Sequence, residues 1–176
     1  MYFPLFVDLS QKEILIVGAG TIASRRVRSL CGFAGHMTVT APEISGDISE
    51  LASQYPITVC ERRFEKTDLE EKDLVLAATD DLELNCLIVQ MCRERGTPVN
   101  DCSDQSLCDF QFPSVLQQGD LVIGINASGK NHRLVKETRQ KLQQFLENNG
   151  AARTDSVRTM TEKEKRNIDM SGGKFQ

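Results

Sequence analysis

Hydrophobic residues in the first hundred positions fall in short solid blocks separated by helical spacing. Ile14 to Val17 are four consecutive aliphatics, the pattern of a strand covered on both faces, since a half-exposed strand alternates with polar residues. Leu74 to Ala78 repeats that pattern, and shorter strands are expected at Met37 to Thr40, at Ile57 to Cys60 and in "TPVN", which ends at Asn100. Between them Ile22, Ala23, Val27 and Leu30 are expected on one side of a first helix, and a second helix surrounds Ile48 to Ser53. Leu84, Leu87, Ile88, Met91 and Cys92 mark a third, capped by Thr79, Asp80 and Asp81 and ended by Gly96. Such alternation predicts a doubly wound parallel sheet with helices on both faces.

From Phe110 the pattern changes. "FQFPSVLQQGDLVIGINASG" reads as a strand, a turn near Gly119 and Asp120, and a second strand at Leu121 to Asn126. A helix then runs from Asn131 to Asn149, stopped by Gly150, with Leu134, Val135, Leu142, Phe145 and Leu146 on its apolar side. This α+β appendage is too small to bury much by itself. It is expected to pack against a second copy in a homodimer, with packing on its own sheet as the alternative. The expected division is residues 1–112, residues 113–150 and a polar tail over 151–176, whose few apolar residues cannot make a core.

Composition narrows the function classes. A net charge of −4 and a pI near 5.3 give no electrostatic case for nucleic acid. No apolar run approaches the ~18 residues of a spanning helix, so no membrane partner is expected. "MYFPLFVDL" lacks the basic flank and cleavage site of a signal peptide, so the expected location is cytoplasmic. Cysteines at 31, 60, 86, 92, 102 and 108 include no C-x-x-C pair, which favours reduced packing thiols over a disulfide framework or a zinc site, and no resident metal is expected.

The chemistry centres on the loop after the first strand. Gly18, Gly20 and Ala23 fill a G-x-G-x-x-A pattern between strand and helix. Small residues there allow a tight turn, close approach of a pyrophosphate and close helix packing, while the helix offers its free amides to the phosphates. Glu43, just after the second strand, is placed to accept from adenosine ribose hydroxyls, which favours NAD; a plain exposed loop carboxylate is the alternative. Thr79 and Asn100 reach the same sheet edge, where Thr79 either lines the cofactor cleft or only caps its helix.

Taken in order, "MYFPLFVDL", "ILIVGAGTIASRR", "VTAPE", "AATDDLELN", "PVNDCSDQSLCDFQFPSV" and "LVIGINASGK" resemble the family of precorrin-2 dehydrogenases and siroheme synthases over about residues 1 to 148. The resemblance implies a Rossmann-type domain, a small dimerisation domain and a C-terminal helical domain. It implies NAD-dependent oxidation of the tetrapyrrole precorrin-2 to sirohydrochlorin, with ferrous iron insertion in some members. It further implies that Gly18, Gly20, Thr21 and Ile22 cradle the pyrophosphate, that Pro42 and Glu43 lie beside adenosine, and that Thr79 and Asn100 line the nicotinamide side.

The departures from the family pattern carry as much weight. Many members read Asn-Val-Val-Asp-Asp-Pro where this chain reads Asn100-Asp101-Cys102-Ser103-Asp104-Gln105, so Ser103 stands where a catalytic aspartate is expected and Asp104 remains beside it. Ser103 and Asp104 are the catalytic candidates, and Asp104 or Asp101 could take over as base after a small shift of the loop; capping or solvating a turn is the alternative for the aspartates. Metal insertion needs a base, which an unactivated serine is not, whereas dehydrogenation asks chiefly for positioning. This favours a dehydrogenase, with a ferrochelatase or a non-catalytic NAD(H)- or tetrapyrrole-binding module as alternatives. In "INASGKNH" the phosphorylatable serine of some relatives appears as Ala127, and Ser128, Lys130 and His132 are the candidates to meet the substrate's acidic side chains. Residues 151–176 are too short and polar for the family's helical domain.

Overall fold

The computed structural model describes residues 2–148. Contacts divide it into two compact units, one spanning Pro4–Phe112 and the other containing the chain from Pro113 onward together with the extreme N-terminus.

The larger unit is built on five parallel strands: β1 (Glu13–Val17), β2 (His36–Ala41), β3 (Ile57–Glu61), β4 (Leu74–Ala77) and β5 (Val99–Asp101). Their order is β3-β2-β1-β4-β5, with Ile14 opposite both Met37 and Leu74. The solid aliphatic block of β1 is explained by alternation of its side chains to opposite covered faces. Ile14 and Ile16 join Met37, Val39 and Leu76 under α1 (Thr21–Leu30) and α2 (Gly46–Gln54), which contribute Ala23, Val27, Leu30, Ile48 and Leu51. Leu15 and Val17 join Val75, Ala77 and Val99 under α3 (Leu82–Arg95), which contributes Ile88, Val89, Met91 and Cys92. The result is the expected Rossmann-type three-layer arrangement.

Two side chains placed in the core by spacing are outside it. Ile22 is 48% exposed and Leu87 is 43% exposed. In α1 the buried positions are Ala23, Ser24, Val27 and Leu30, a face centred more than a residue's rotation away from Ile22 at about 100° per residue. In α3 the polar Asn85 is buried alongside Ile88, Val89 and Cys92, which turns Leu87 outward. Asp81 alone of the expected trio is the N-cap, its side chain accepting from Leu84 N at 3.0 Å.

The second unit contains an antiparallel pair, β6 (Ser114–Gln118) and β7 (Leu121–Ile125), joined through Gly119 and Asp120. The first of these strands begins at Ser114, not Phe110; the Phe110 and Phe112 rings meet at a 55° tilt with centroids 5.7 Å apart, and Arg26 lies over Phe112. A helix, α4, covers 132–148, and Asn131 caps it by accepting from Leu134 N at 2.9 Å. Leu134 and Phe145, expected on its apolar side, are 54% and 62% exposed. The expected helix end at Asn149 and Gly150 and the tail over 151–176 lie outside the described residues. Among the described residues no helix is long and apolar enough to cross a membrane.

Candidate functional site

Parallel pairing brings the carboxyl ends of all five strands to one edge, and connections leave β1 and β4 toward opposite faces there. The loops carrying Gly18 to Gly20, Pro42 and Glu43, Thr79, and Cys102 to Asp104 therefore leave the same edge of the sheet. A ligand crevice is expected at such a switch point.

The glycine loop fits a dinucleotide on two separate observations. Gly18 has φ of +110°, and a Cβ there would lie 2.3 Å from the carbonyl oxygen of Ala78. Only glycine lets β1 turn this tightly against the end of β4. Gly20 differs: a Cβ there would meet nothing within 4 Å, and the residue is exposed. The absence of a side chain at Gly20 serves nothing inside the fold and leaves open space in front of α1. Gly20 is also the N-cap of α1 and provides no side-chain cap, whereas Ser45 and Asp81 cap α2 and α3. The first-turn amides of α1, with Thr21 and Ile22 exposed beside them, are thus left for an anion.

Pro42 and Glu43 directly follow β2 and are both exposed. Thr79 is half-buried, and its hydroxyl is 2.7 Å from Asn85 Oδ1 and 3.0 Å from the Asp81 carbonyl oxygen. Asn100 is 4% exposed, and its Nδ2 donates to the carbonyl oxygen of Phe110 at 2.8 Å. It ties the segment after β5 to the sheet. Ser103 and Asp104 are exposed at the end of β5. Asp104 caps the 3-10 turn Gln105–Leu107, its Oδ1 accepting from Ser106 N at 2.8 Å and Ser106 Oγ at 2.7 Å. Those bonds hold its carboxyl below the usual carboxylate range. Nearby, burial pushes the Cys102 thiol up, against the opposing pull of Arg26.

Ser128, Lys130 and His132 lie in the second unit, in the loop between β7 and α4 and at the first residue of α4. Ser128 has φ of +55°, and its N–H donates to Asn126 Oδ1 at 2.6 Å. Lys130 and His132 are exposed.

One residue central to the sheet edge, Asn85, escaped the sequence reading. Asn85 is fully buried and bridges two loops: Oδ1 accepts from Thr79 N and Oγ1, while Nδ2 donates to the Thr79 carbonyl oxygen at 3.1 Å and to Ser103 Oγ at 3.2 Å. Its signal was a polar residue at helical spacing from Ile88 and Cys92, on the face otherwise apolar. Asp101, expected from the sequence only as a stand-in base beside Asp104, is 2% exposed; its burial carried no comparable signal, since it is one acid among several in a polar stretch.

Comparison with known proteins agrees with this geometry. Residues 5–114 match the family model NAD_binding_7, described as "Putative NAD(P)-binding". Siroheme synthase of Ruthia magnifica subsp. Calyptogena magnifica is 34% identical over 145 residues, covering 82% of this chain and 31% of its own length. Siroheme synthase of Psychrobacter sp. (strain PRwf-1) is 35% identical over 144 residues, covering 82% of this chain and 30% of its own. The chain thus spans about a third of the length of the curated relatives it matches. Among solved structures, "SirC, precorrin-2 dehydrogenase" superposes with a TM-score of 0.68 at 26% identity, covering 81% of this chain and 70% of that one. With its glycine loop, its open helix N-terminus and a family match over most of the larger unit, the chain belongs to this NAD(P)-binding family.

Proposed function

We propose that the chain is an NAD-dependent dehydrogenase that oxidises precorrin-2 to sirohydrochlorin. The observation that carries this reading is the extent of the likeness to a precorrin-2 dehydrogenase. It covers 81% of 176 residues, about 143, whereas the unit Pro4–Phe112 accounts for 109. A likeness confined to dinucleotide binding would stop near residue 112.

In this reading Gly18 and Gly20 give the pyrophosphate its close approach, and the amides around Thr21 and Ile22 donate to it. Pro42 and Glu43 flank the adenosine ribose, Glu43 favouring a free 2′-hydroxyl and hence NAD. Thr79 and Asn100 shape the edge beside the nicotinamide. When bound, the cofactor accepts the hydride; the protein aligns donor and acceptor and handles the accompanying proton. The acid-base work is assigned to Ser103 and Asp104. Ser128, Lys130 and His132 meet the carboxylates of the tetrapyrrole, and the exposed Leu121, Leu134 and Phe145 form the contact of a homodimer.

The test is anaerobic mixing of the protein with enzymatically generated precorrin-2 and NAD⁺, followed by the sirohydrochlorin spectrum, then addition of ferrous iron. Sirohydrochlorin forming only with NAD⁺, and iron entering no faster than without protein, is the expected result. Failure of the first step together with accelerated iron insertion into supplied sirohydrochlorin would replace the dehydrogenase with a chelatase. Binding of both ligands without turnover would leave a carrier.

A further inference from the structure

Asp101, the last residue of β5, carries a carboxylate into a place that needs only an acceptor. Its Oδ1 accepts from Ser103 N at 2.8 Å, Ser103 Oγ at 2.5 Å and Asp104 N at 3.2 Å. Its Oδ2 is buried with no hydrogen-bond partner among the described residues. An asparagine would close the same turn through its amide oxygen. A buried carboxylate oxygen without a partner is costly, so the turn alone does not account for the charge.

The proton order in this network is fixed. Thr79 N–H can only donate, so Asn85 must present Oδ1 to it and therefore turns Nδ2 toward Ser103. Asn85 is fully buried and held by Thr79 at both ends of its amide. Ser103 Oγ thus accepts from Asn85, and its single proton points to Asp101 Oδ1. A hydroxyl has two lone pairs; the second is left on an exposed side chain.

We propose that Ser103 and Asp101 form a proton relay for the oxidation assigned above, with Ser103 meeting the substrate and Asp101 acting through it as a positioning residue and proton acceptor. Hydride loss takes one C–H electron pair to the nicotinamide. The proton lost from the substrate leaves its own pair in the new double bond and bonds to Ser103 Oγ as the Oγ proton passes to Asp101 Oδ1. Reversal through Ser103 returns the proton to water. The serine never becomes an alkoxide, which removes the objection to a lone hydroxyl as base. Asp104 suits the task less well, because one oxygen is committed to Ser106 and its carboxyl is held acidic.

The inference rests on the proposed dehydrogenase activity, and its test separates the two. Steady-state kinetics with precorrin-2, NAD⁺ calorimetry and thermal melting are measured on the full chain for Asp101→Asn, Ser103→Ala, their double variant and Asp101→Asn combined with Ser103→Asp. Asp101→Asn and Ser103→Ala should each lower kcat by about 100-fold, leaving KM and NAD⁺ affinity within about twofold. The double variant should be no slower than the slower single one, and Ser103→Asp should recover most of the rate lost in Asp101→Asn. A structural role would move melting and affinity and would not be rescued. Should Asp101→Asn fail to fold, the exposed Ser103→Ala carries the same kcat test. Wild-type kcat in either single variant, or losses that multiply in the double, would overturn the relay alone. An inactive wild-type chain would overturn the dehydrogenase reading and the relay with it.

Discussion

Gly18 and Gly20 sit two residues apart in one loop, yet adding a side chain should have opposite consequences at each. At Gly18 the φ of +110° and the 2.3 Å approach of a Cβ to Ala78 O combine two penalties. Backbone strain of about 1–3 kcal/mol adds to overpacking of about 1–3 kcal/mol. Gly18→Ala should therefore lose about 2–6 kcal/mol, a large part of the about 5–15 kcal/mol of a typical domain. At about 4 °C per kcal/mol, melting should fall by about 8–24 °C. Gly20 has φ of −77° and open space ahead of it, so Gly20→Asp is conformationally ordinary. An aspartate at the N-cap of α1 even supplies the missing cap, and stability should hold or rise by about a few tenths of a kcal/mol over glycine. The same carboxylate repels a pyrophosphate: two unit charges about 5 Å apart at an effective dielectric near 20 cost about 3 kcal/mol, more than about 100-fold in Kd. Thermal melting and NAD⁺ calorimetry on both variants read the contrast. A Gly20→Asp protein that binds NAD⁺ with unchanged affinity would remove the cofactor from this loop, and a Gly18→Ala protein with wild-type melting would refute the close-packing argument.

Other consequences follow from individual side chains. Glu43→Ala should weaken NAD⁺ about 10–100-fold, the loss of one charge-assisted hydrogen bond of about 1.5–3 kcal/mol, while leaving the 2′-phosphorylated cofactor little affected; calorimetry showing equal losses for both would discard Glu43 as the ribose ligand. Cys92 is buried, and burial pushes its thiol up to about 11, so iodoacetamide at pH 8 should label exposed Cys86 within minutes and spare Cys92 until denaturant is added; early modification of Cys92 by mass spectrometry would contradict the packing. Arg62 grips Asp68 at 2.9 and 2.5 Å and holds its carboxyl below the ordinary range. That contribution is complete above the unfolded carboxyl value near ~3.9 and lost as pH falls through the lower folded value, so Asp68→Asn should destabilise at pH 7 and converge on wild type in urea melts near pH 2. Leu134→Glu should convert a dimer to monomer in sedimentation equilibrium without lowering the melting of the larger unit; an unaltered mass would move the dimer contact elsewhere.

The larger unit was legible because its two periodicities do not conflict. A block such as Ile14 to Val17 is too short for a buried helix and is followed by glycines, which leaves a strand covered on both sides, and those glycines close the turn into α1. Boundaries came within a residue or two wherever a cap or a glycine marked them, as Asp81 and Gly96 do for α3. Ile22 and Leu87 were misplaced because helical spacing identifies a stripe but not its centre. The centre is set by which neighbour lies opposite, and in α3 that neighbour makes Asn85, not Leu87, the inward residue.

The edge of the sheet was harder to read for a different physical reason. A polar residue is buried at low cost only when specific partners arrive from elsewhere in the chain, and those partners are invisible in a linear pattern. Asn85 is tolerable inside because Thr79, six residues earlier, and Ser103, eighteen residues later, converge on its amide. Asp101 is only half satisfied: the backbone of 103 and 104 folds back onto one of its oxygens, and the other is buried with no hydrogen-bond partner among the described residues. The family resemblance alone drew attention to Ser103, as a residue standing where a carboxylate was expected, and left Asp104 or Asp101 to take over as base only after a shift of the loop. The structure puts a carboxylate 2.5 Å from that same hydroxyl, two positions earlier in the chain. The carboxylate within reach of that exposed hydroxyl is the buried one behind it, which is why the pair has to be tested together and not residue by residue.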